Sequence, residues 1–306
     1  MNYKNIVIAG SGVLGSQIAF QCAYCGFNVT ILTHSDKSKE KALEKLTKLK
    51  ETYLETIKDM SKNEGIWARG IASLEEFDAK VCQEKVENGF NNIKFESEQK
   101  TALSDADLVI ESINENIEDK KNFYTEIAPL LPSKLASFTG RPEKYLALHF
   151  ANSIWKNNTA EVMAHSTTDS KYFDEVLAFA EAINMLPLPV KVEKSGYLLN
   201  SMLVPFLLSA MDLLANGVSD PESIDKAWTR GTGAPKGPFQ IIDTVGLMTA
   251  KNIVEQYQKV PGLLNPLLKK MMLPYNYKGM LALLNKYIEE GKLGVSTGEG
   301  FYKYNK

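Results

Sequence analysis

Six residues near the N-terminus, Gly10-Ser11-Gly12-Val13-Leu14-Gly15, have the spacing that lets a main chain hold a phosphate. In a G-x-G-x-x-G turn the first glycine permits the tight bend. The second has no Cβ to keep a pyrophosphate away from the backbone, and the third lets a helix lie close to its sheet. The unpaired N–H groups and dipole of the helix N-terminus then face the anion. Alone this is a weak signal, and its neighbours give it meaning. Asn5–Ala9 reads as a short buried strand, Leu14–Cys25 as a helix and Phe27–Leu32 as a second strand. Strand, helix and strand in that order form a βαβ unit, with a parallel sheet covered by helices. The implied ligand is a dinucleotide. An acid at the end of the second strand would normally take the adenosine ribose hydroxyls. This chain has Thr33 there, followed by His34, Ser35, Asp36 and Lys37. Asp36 either reaches the ribose or caps the next helix, and Thr33, Ser35 and Lys37 are compatible with a 2′-phosphate. NAD is favoured over NADP.

Other reactive side chains are sparse. The three cysteines, Cys22, Cys25 and Cys82, are too few and too odd in number for a disulfide framework. Cys22 and Cys25 have a C-x-x-C spacing, but no second ligand pair accompanies them, so they read as packing residues one helical turn apart and no metal site is expected. A net charge of −2 offers no broad basic field for nucleic acid. No apolar run reaches the ~20 residues that span a bilayer, and the first residues lack a signal-peptide pattern. The expectation is a cytoplasmic protein without membrane or nucleic-acid partners.

The remaining elements must position the glycine turn. Ala42, Leu46, Leu49, Tyr53, Ile57 and Met60 recur every three or four residues and predict a long amphipathic helix. Ser73–Gly89 reads as a second helix, and the two form an arm over 37–90. Ile93–Glu96, Asp107–Ser112, Tyr145–Phe150 and Leu188–Val192 read as strands, the last at an edge because of Pro189. Ile117–Leu131 and Lys171–Ile183 read as helices. From Tyr197 onward helical patterns dominate, broken at Gly217, at 231–238 and at 261–266. The predicted fold is α/β, a Rossmann-like doubly wound sheet with a helical arm, followed by an all-helical C-terminal domain. A dinucleotide-binding domain spans 1–193 and a helical substrate and dimerisation domain spans 194–306, with the active site in the cleft between them. The apolar stretch Met202–Leu214 suggests a homodimer interface.

Five further motifs follow in order: Glu111-Ser-Ile-Asn-Glu-Asn116; Arg141-Pro-Glu-Lys-Tyr-Leu-Ala-Leu-His-Phe-Ala-Asn152; Ser195-Gly-Tyr-Leu-Leu-Asn200; Gly231-Thr-Gly-Ala-Pro-Lys-Gly-Pro-Phe239; and Gly294-Val-Ser-Thr-Gly-Glu-Gly-Phe-Tyr302. With the glycine turn they resemble the 3-hydroxyacyl-CoA dehydrogenase family over nearly the whole chain, in particular its 3-hydroxybutyryl-CoA branch. The resemblance implies NAD-dependent interconversion of (S)-3-hydroxyacyl-CoA and 3-oxoacyl-CoA. It makes His149 the general base, a role that an imidazole suits near neutral pH. It makes Glu161 the partner of the other ring nitrogen and places Asn200 near the reacting oxygen. Glu115 and Lys120 fall beside the cofactor. His34 and His165 gain no role. Lys48 or Lys50 on the arm is a candidate for CoA phosphate, although a solvated face suits either one better.

The sequence departs from its family at one place. Relatives carry a strand ending in an Asn-[Thr/Ser]-Ser turn between the helix after Lys120 and the Arg-Pro-Glu motif. Here Leu131-Pro-Ser-Lys134 runs directly into Leu135-Ala-Ser-Phe-Thr-Gly-Arg141. Neither Ser133 nor Ser137 sits in a matching motif. Removing a central parallel strand exposes its neighbours' ladders and faces. Three explanations are open: a true deletion, an altered sequence, or, the favoured one, residues missing from the chain as read, visible as a Cα step well beyond about 3.8 Å between Pro132 and Ala136. Two other readings remain open. One is a catalytically impaired homologue that binds nucleotide or acyl-CoA, and the other is a dehydrogenase of another hydroxy acid.

Overall fold

The structure, a computed structural model, covers all 306 residues. It describes 3–63, 65, 67–113, 116–127, 130, 142–258 and 275–304. The chain divides into two compact units, Met1–Tyr197 and Leu198–Lys306.

The first unit is α/β. Strands β1 (Asn5–Ala9), β2 (Asn28–Leu32), β3 (Lys94–Glu96) and β4 (Leu108–Glu111) form a parallel sheet in the order β3-β2-β1-β4. Helix α1 (Val13–Tyr24) joins β1 to β2. The apolar stripe read from the sequence is the buried face of α2 (Asp36–Ser61), and all six residues named for it are buried. Tyr53 lies among Phe20, Tyr24 and Trp155, with centroids 4.8 to 5.6 Å apart. The arm therefore packs into the main core. The second arm helix, α3 (Ala79–Asn92), starts later than predicted because Asp78 caps it through the Val81 N–H. Its Gly89 meets α1 so closely that a Cβ would lie 2.9 Å from the Ala23 carbonyl carbon. A short helix, α4 (Gln99–Leu103), precedes β4, and α5 (Ile117–Ile127) follows it.

A second sheet holds β5 (Leu146–Phe150), β6 (Thr159–Ala164) and β7 (Leu186–Val190), with α6 (Ser170–Ala182) between β6 and β7. Its order is β5-β6-β7, antiparallel then parallel, so β7 is an edge as Pro189 requires. Among the described residues the two sheets do not join. The Rossmann-like α/β fold read from the sequence is what this unit has, and among the described residues β4 ends one sheet and β5 begins the other. The shortening noted after Lys134 lies between these two strands. The stretch 132–136, where a long Cα step was to be sought, lies outside the described residues.

The second unit is helical: α7 (Leu199–Ala215), α8 (Pro221–Thr232), α9 (Pro238–Val245), α10 (Leu247–Gln258) and α11 (Tyr277–Glu289). Leu208, Phe239, Leu247 and Met280 are buried at its centre. Two buried carboxylates organise it. Asp225 accepts the N–H groups of Phe239 and Gln240 at the start of α9 (2.8 and 3.1 Å). Asp243 accepts the N–H groups of Phe301 and Tyr302 in the tail (both 2.9 Å). No helix among the described residues is long and apolar enough to cross a membrane.

Candidate active site

The glycine turn has the shape its spacing implies. Gly10 has φ +117°, and a Cβ there would lie 2.3 Å from the Ser112 carbonyl oxygen. A Cβ on Gly15 would lie 2.3 Å from the Gly10 carbonyl oxygen. Gly12 differs, because a Cβ there meets nothing within 4 Å. The first and third glycines are thus needed by the protein's own packing, while the second faces open space at the N-terminus of α1. No side chain caps that terminus. An uncapped helix N-terminus beside an open glycine fits a pyrophosphate, so the residues present suit a dinucleotide. Ser11, Val13 and Leu14 complete the turn, and Val13 is exposed.

Thr33 is buried, with its N–H and hydroxyl turned to the Glu96 carbonyl (2.8 and 3.5 Å). Asp36 does not cap α2. Ser35 does, in a reciprocal box with Ser38. Lys120 pairs with Glu111 at 3.1 Å. Glu111 also accepts the Ile113 N–H (2.7 Å) and the Tyr124 hydroxyl (2.9 Å), which fixes the turn after β4. Glu115 lies outside the described residues. Asn200 is in the first turn of α7, in the second unit. Lys50 is engaged within the arm, 2.7 Å from Glu87 and 4.9 Å from the Phe90 ring centre. Cys22 is fully buried in the core, and burial pushes the Cys25 thiol up to about 12. Both thiols are therefore far from thiolate reactivity.

His149 and Glu161 are brought together by strand register. They are direct partners in the antiparallel β5–β6 ladder, so their side chains share one face at adjacent positions. Imidazole Nδ1 lies 2.7 Å from Glu161 Oε2. A carboxylate only accepts, so Nδ1 carries the proton and Nε2 is left as an acceptor. The Glu161 side chain is 2% exposed and that of His149 is 27% exposed. A buried anion thus backs a base that solvent and substrate can reach.

Three further residues shape the site, and none of them is singled out by sequence reasoning. Tyr197 stacks on the imidazole, with centroids 4.5 Å apart and planes 9° from parallel. It holds φ +51°, next to Gly196 at +84°, and such strain concentrates at functional positions. Its place in the Ser195-Gly-Tyr motif was the available clue. Gln17, buried on α1, accepts the N–H groups of Ser153 and Ile154 (3.0 and 3.4 Å) just beyond the His149 strand. Lys45 on α2 donates to the Ser11 carbonyl oxygen (2.7 Å). Nothing in the charge run of the arm distinguished it from its neighbours.

A single cavity of about 780 Å³ is lined by Gly12 to Leu14, Glu111 to Ile113, Lys120 and His149. The glycine turn and the imidazole therefore open on one space. A dinucleotide-binding βαβ unit that shares a cavity with a carboxylate-backed histidine defines a nicotinamide-dependent oxidoreductase. Comparison with known proteins gives the family. The NAD-binding domain of 3-hydroxyacyl-CoA dehydrogenase matches residues 5–193 and the C-terminal domain of that enzyme matches residues 196–304. The chain belongs to the 3-hydroxyacyl-CoA dehydrogenase family; it is an NAD-dependent dehydrogenase.

The chain is 28% identical to the mitochondrial hydroxyacyl-coenzyme A dehydrogenase of Homo sapiens, covering 98% of this chain and 91% of the relative. It is 27% identical to a probable 3-hydroxybutyryl-CoA dehydrogenase of Bacillus subtilis (strain 168), covering 100% and 99%. Among solved structures, a diketoreductase whose description names dual catalysis of dicarbonyl compounds has a TM-score of 0.81 and 39% identity, covering 99% of this chain and 100% of that one. The alignment with a probable 3-hydroxyacyl-CoA dehydrogenase of Caenorhabditis elegans runs over 324 positions against a chain of 306, so at least 18 positions of the relative have no counterpart here.

Proposed function

We propose that the protein interconverts (S)-3-hydroxyacyl-CoA and 3-oxoacyl-CoA, of the 3-hydroxybutyryl-CoA class, with His149 as general base. The observation that carries this reading is the 2.7 Å pair between His149 Nδ1 and the buried Glu161 carboxylate. It leaves Nε2 free to take the proton of a 3-hydroxyl group. The acceptor for the hydride that leaves C3 would be supplied by bound NAD. Glu161 holds the tautomer and stabilises the imidazolium that forms. In the reverse direction the same imidazole returns the proton to the 3-oxo oxygen. Gly10, Gly12 and Gly15, with the N–H groups of Ser11, Val13 and Leu14, seat the pyrophosphate. Lys120 and Thr33 belong to the same cofactor region, and Glu115 beside the cofactor and Asn200 at the reacting oxygen are assigned by their places in the family motifs.

The test is oxidation of NADH in the presence of acetoacetyl-CoA, for the wild type and His149→Ala. Loss of a general base lowers the rate by about 10²–10⁴-fold. An unchanged rate removes His149 from the mechanism.

The 39% identity to a diketoreductase favours a second reading, in which the ketone belongs to a dicarbonyl compound without CoA. Turnover of free dicarbonyl compounds with no activity on the thioester selects it. A third reading, binding of NADH or acyl-CoA without turnover, follows from the shortened segment and is selected by binding in the absence of NADH oxidation. A homodimer through the helical unit is part of the proposal. Met202 on α7 is 67% exposed, and light scattering of the purified protein decides the matter. The proposed compartment is the cytoplasm, which imaging of a tagged chain checks.

A further inference from the structure

Helix α1 begins at the phosphate turn and is buried from Gly15 to Tyr24. Gln17 is the first long polar side chain in that buried run. It is 7% exposed, and an amide so placed is costly unless its polar atoms are used. Its Oε1 accepts the N–H groups of Ser153 (3.0 Å) and Ile154 (3.4 Å). Both belong to the turn 151–158 that joins β5 to β6. His149 and Glu161 face each other at the second ladder position from that turn.

The turn is constrained where Gln17 holds it. Ser153 has φ +59°, a conformation that costs a residue with a Cβ. Its carbonyl accepts the N–H groups of Lys156 and Asn157 (2.8 and 2.9 Å). Ile154 is fully buried. The Trp155 carbonyl accepts the Gly70 N–H (2.9 Å), and a Cβ on Gly70 would lie 2.8 Å from Trp155 Cα. The turn is thus clasped between α1 and the chain at Gly70. Gln17 lies five residues beyond Gly12, about 7–8 Å along a helix axis. One helix therefore starts at the open glycine of the phosphate turn and carries the oxygen that holds the His149 hairpin.

We propose that Gln17 is a positioning residue for the reaction: its side-chain oxygen fixes the level of the His149–Glu161 hairpin along α1, and so the placement of the imidazole relative to a dinucleotide seated at Gly12. The proposal rests on the dehydrogenase reading above and adds a residue to it. Gln17 acts through the backbone of 153–154, which the imidazole follows. An apolar side chain of equal length fills the same space but leaves the two N–H groups unheld. A misplacement of about 1 Å between reacting groups costs about 10²-fold in rate.

The experiment measures reduction of acetoacetyl-CoA by NADH in the wild type, Gln17→Met and Gln17→Glu, with rates expressed per NADH-binding site. Gln17→Met keeps the length and loses the acceptor. Its kcat should fall by about 10- to 100-fold, while KM for NADH stays within about threefold because the glycine turn is untouched. The primary deuterium isotope effect on kcat, read with NADH deuterated at the transferred position, should rise, which a loss of stability alone does not produce. Gln17→Glu keeps an accepting oxygen and should recover most of the lost rate. Amide hydrogen exchange of the wild type reads the contact with no substitution, so the test survives a variant that does not fold. The Ser153 and Ile154 N–H groups should exchange as slowly as those inside α1. Rapid exchange at 153–154, a kcat of Gln17→Met equal to that of the wild type, or equal losses in the Met and Glu variants overturns the positioning role alone. A wild type that reduces no acetoacetyl-CoA overturns the dehydrogenase reading, and the positioning role falls with it.

Discussion

Glu161 stands directly opposite His149 on the β5–β6 ladder, and its carboxylate oxygen lies 2.7 Å from the ring nitrogen. The geometry is set by the backbone, since adjacent positions on one sheet face are held by ladder hydrogen bonds instead of by flexible side chains. Glu161→Gln keeps the shape and removes the charge, and its amide N–H can turn to Nδ1 and force the opposite tautomer. We expect kcat for 3-oxoacyl-CoA reduction to fall by about 10²–10⁴-fold. Glu161→Asp, which keeps the charge one methylene further back, should retain more. Steady-state rates with both variants at saturating NADH decide this. Equal activity of Glu161→Gln and wild type would reject the pairing as catalytic.

Tyr197 covers one face of the imidazole. Removing the ring in Tyr197→Ala should lower kcat by about two- to twelvefold, the equivalent of one aromatic contact. Tyr197→Phe keeps the ring and should stay nearer the wild type. Circular dichroism on both separates this loss from misfolding. Identical kcat for the alanine variant and wild type would make the stack incidental.

Lys45 places a cation at the positive end of α1, where the helix dipole opposes it. The arrangement becomes favourable once a pyrophosphate brings negative charge to the turn. Lys45→Met should raise KM for NADH by about three- to thirtyfold, with kcat nearly constant. Titration calorimetry with NADH checks the affinity directly, and an unchanged Kd excludes a role for the ammonium group.

The second unit has its own test. Asp243 accepts two tail N–H groups and the Tyr304 hydroxyl, each at 2.9 Å. Asp243→Ala leaves these donors unmet and should cost about 3 kcal/mol, read as a lower denaturant midpoint. Burial lifts the Asp243 carboxyl above its ordinary value of 3.8, against the pull of its N–H donors. The folded state therefore holds this proton more tightly than the unfolded state does. The associated stability is fully present below the ordinary value and is lost as pH rises through the raised one. The difference between wild type and Asp243→Ala should narrow as pH climbs through that window.

Much of the first unit was legible in the residues. The glycine turn, β1 and the six apolar positions of α2 follow from spacing alone, because a period of three to four residues survives any tertiary context. β6 was not seen as a strand. Glu161 at its centre breaks the apolar run of Ala160 and Val162, and a buried carboxylate there makes sense only once His149 lies opposite. Tyr197 and Gln17 act across chain separations that no local pattern encodes. Among the described residues the sheets part between β4 and β5, where the shortened segment after Lys134 falls in the chain, and spacing alone does not say which strands pair on either side of it.

The tie between the two sheets falls to α1. Gln17 grips the chain beyond β5, and Gln21 donates to the carbonyl groups of Gly70 and Ile183 while accepting the Tyr53 hydroxyl. One rod thus acts as a keel to which both halves of the unit are bolted, and its bow is the phosphate turn. The residue that closes the cofactor turn and the residues that join the two sheets thus belong to one helix.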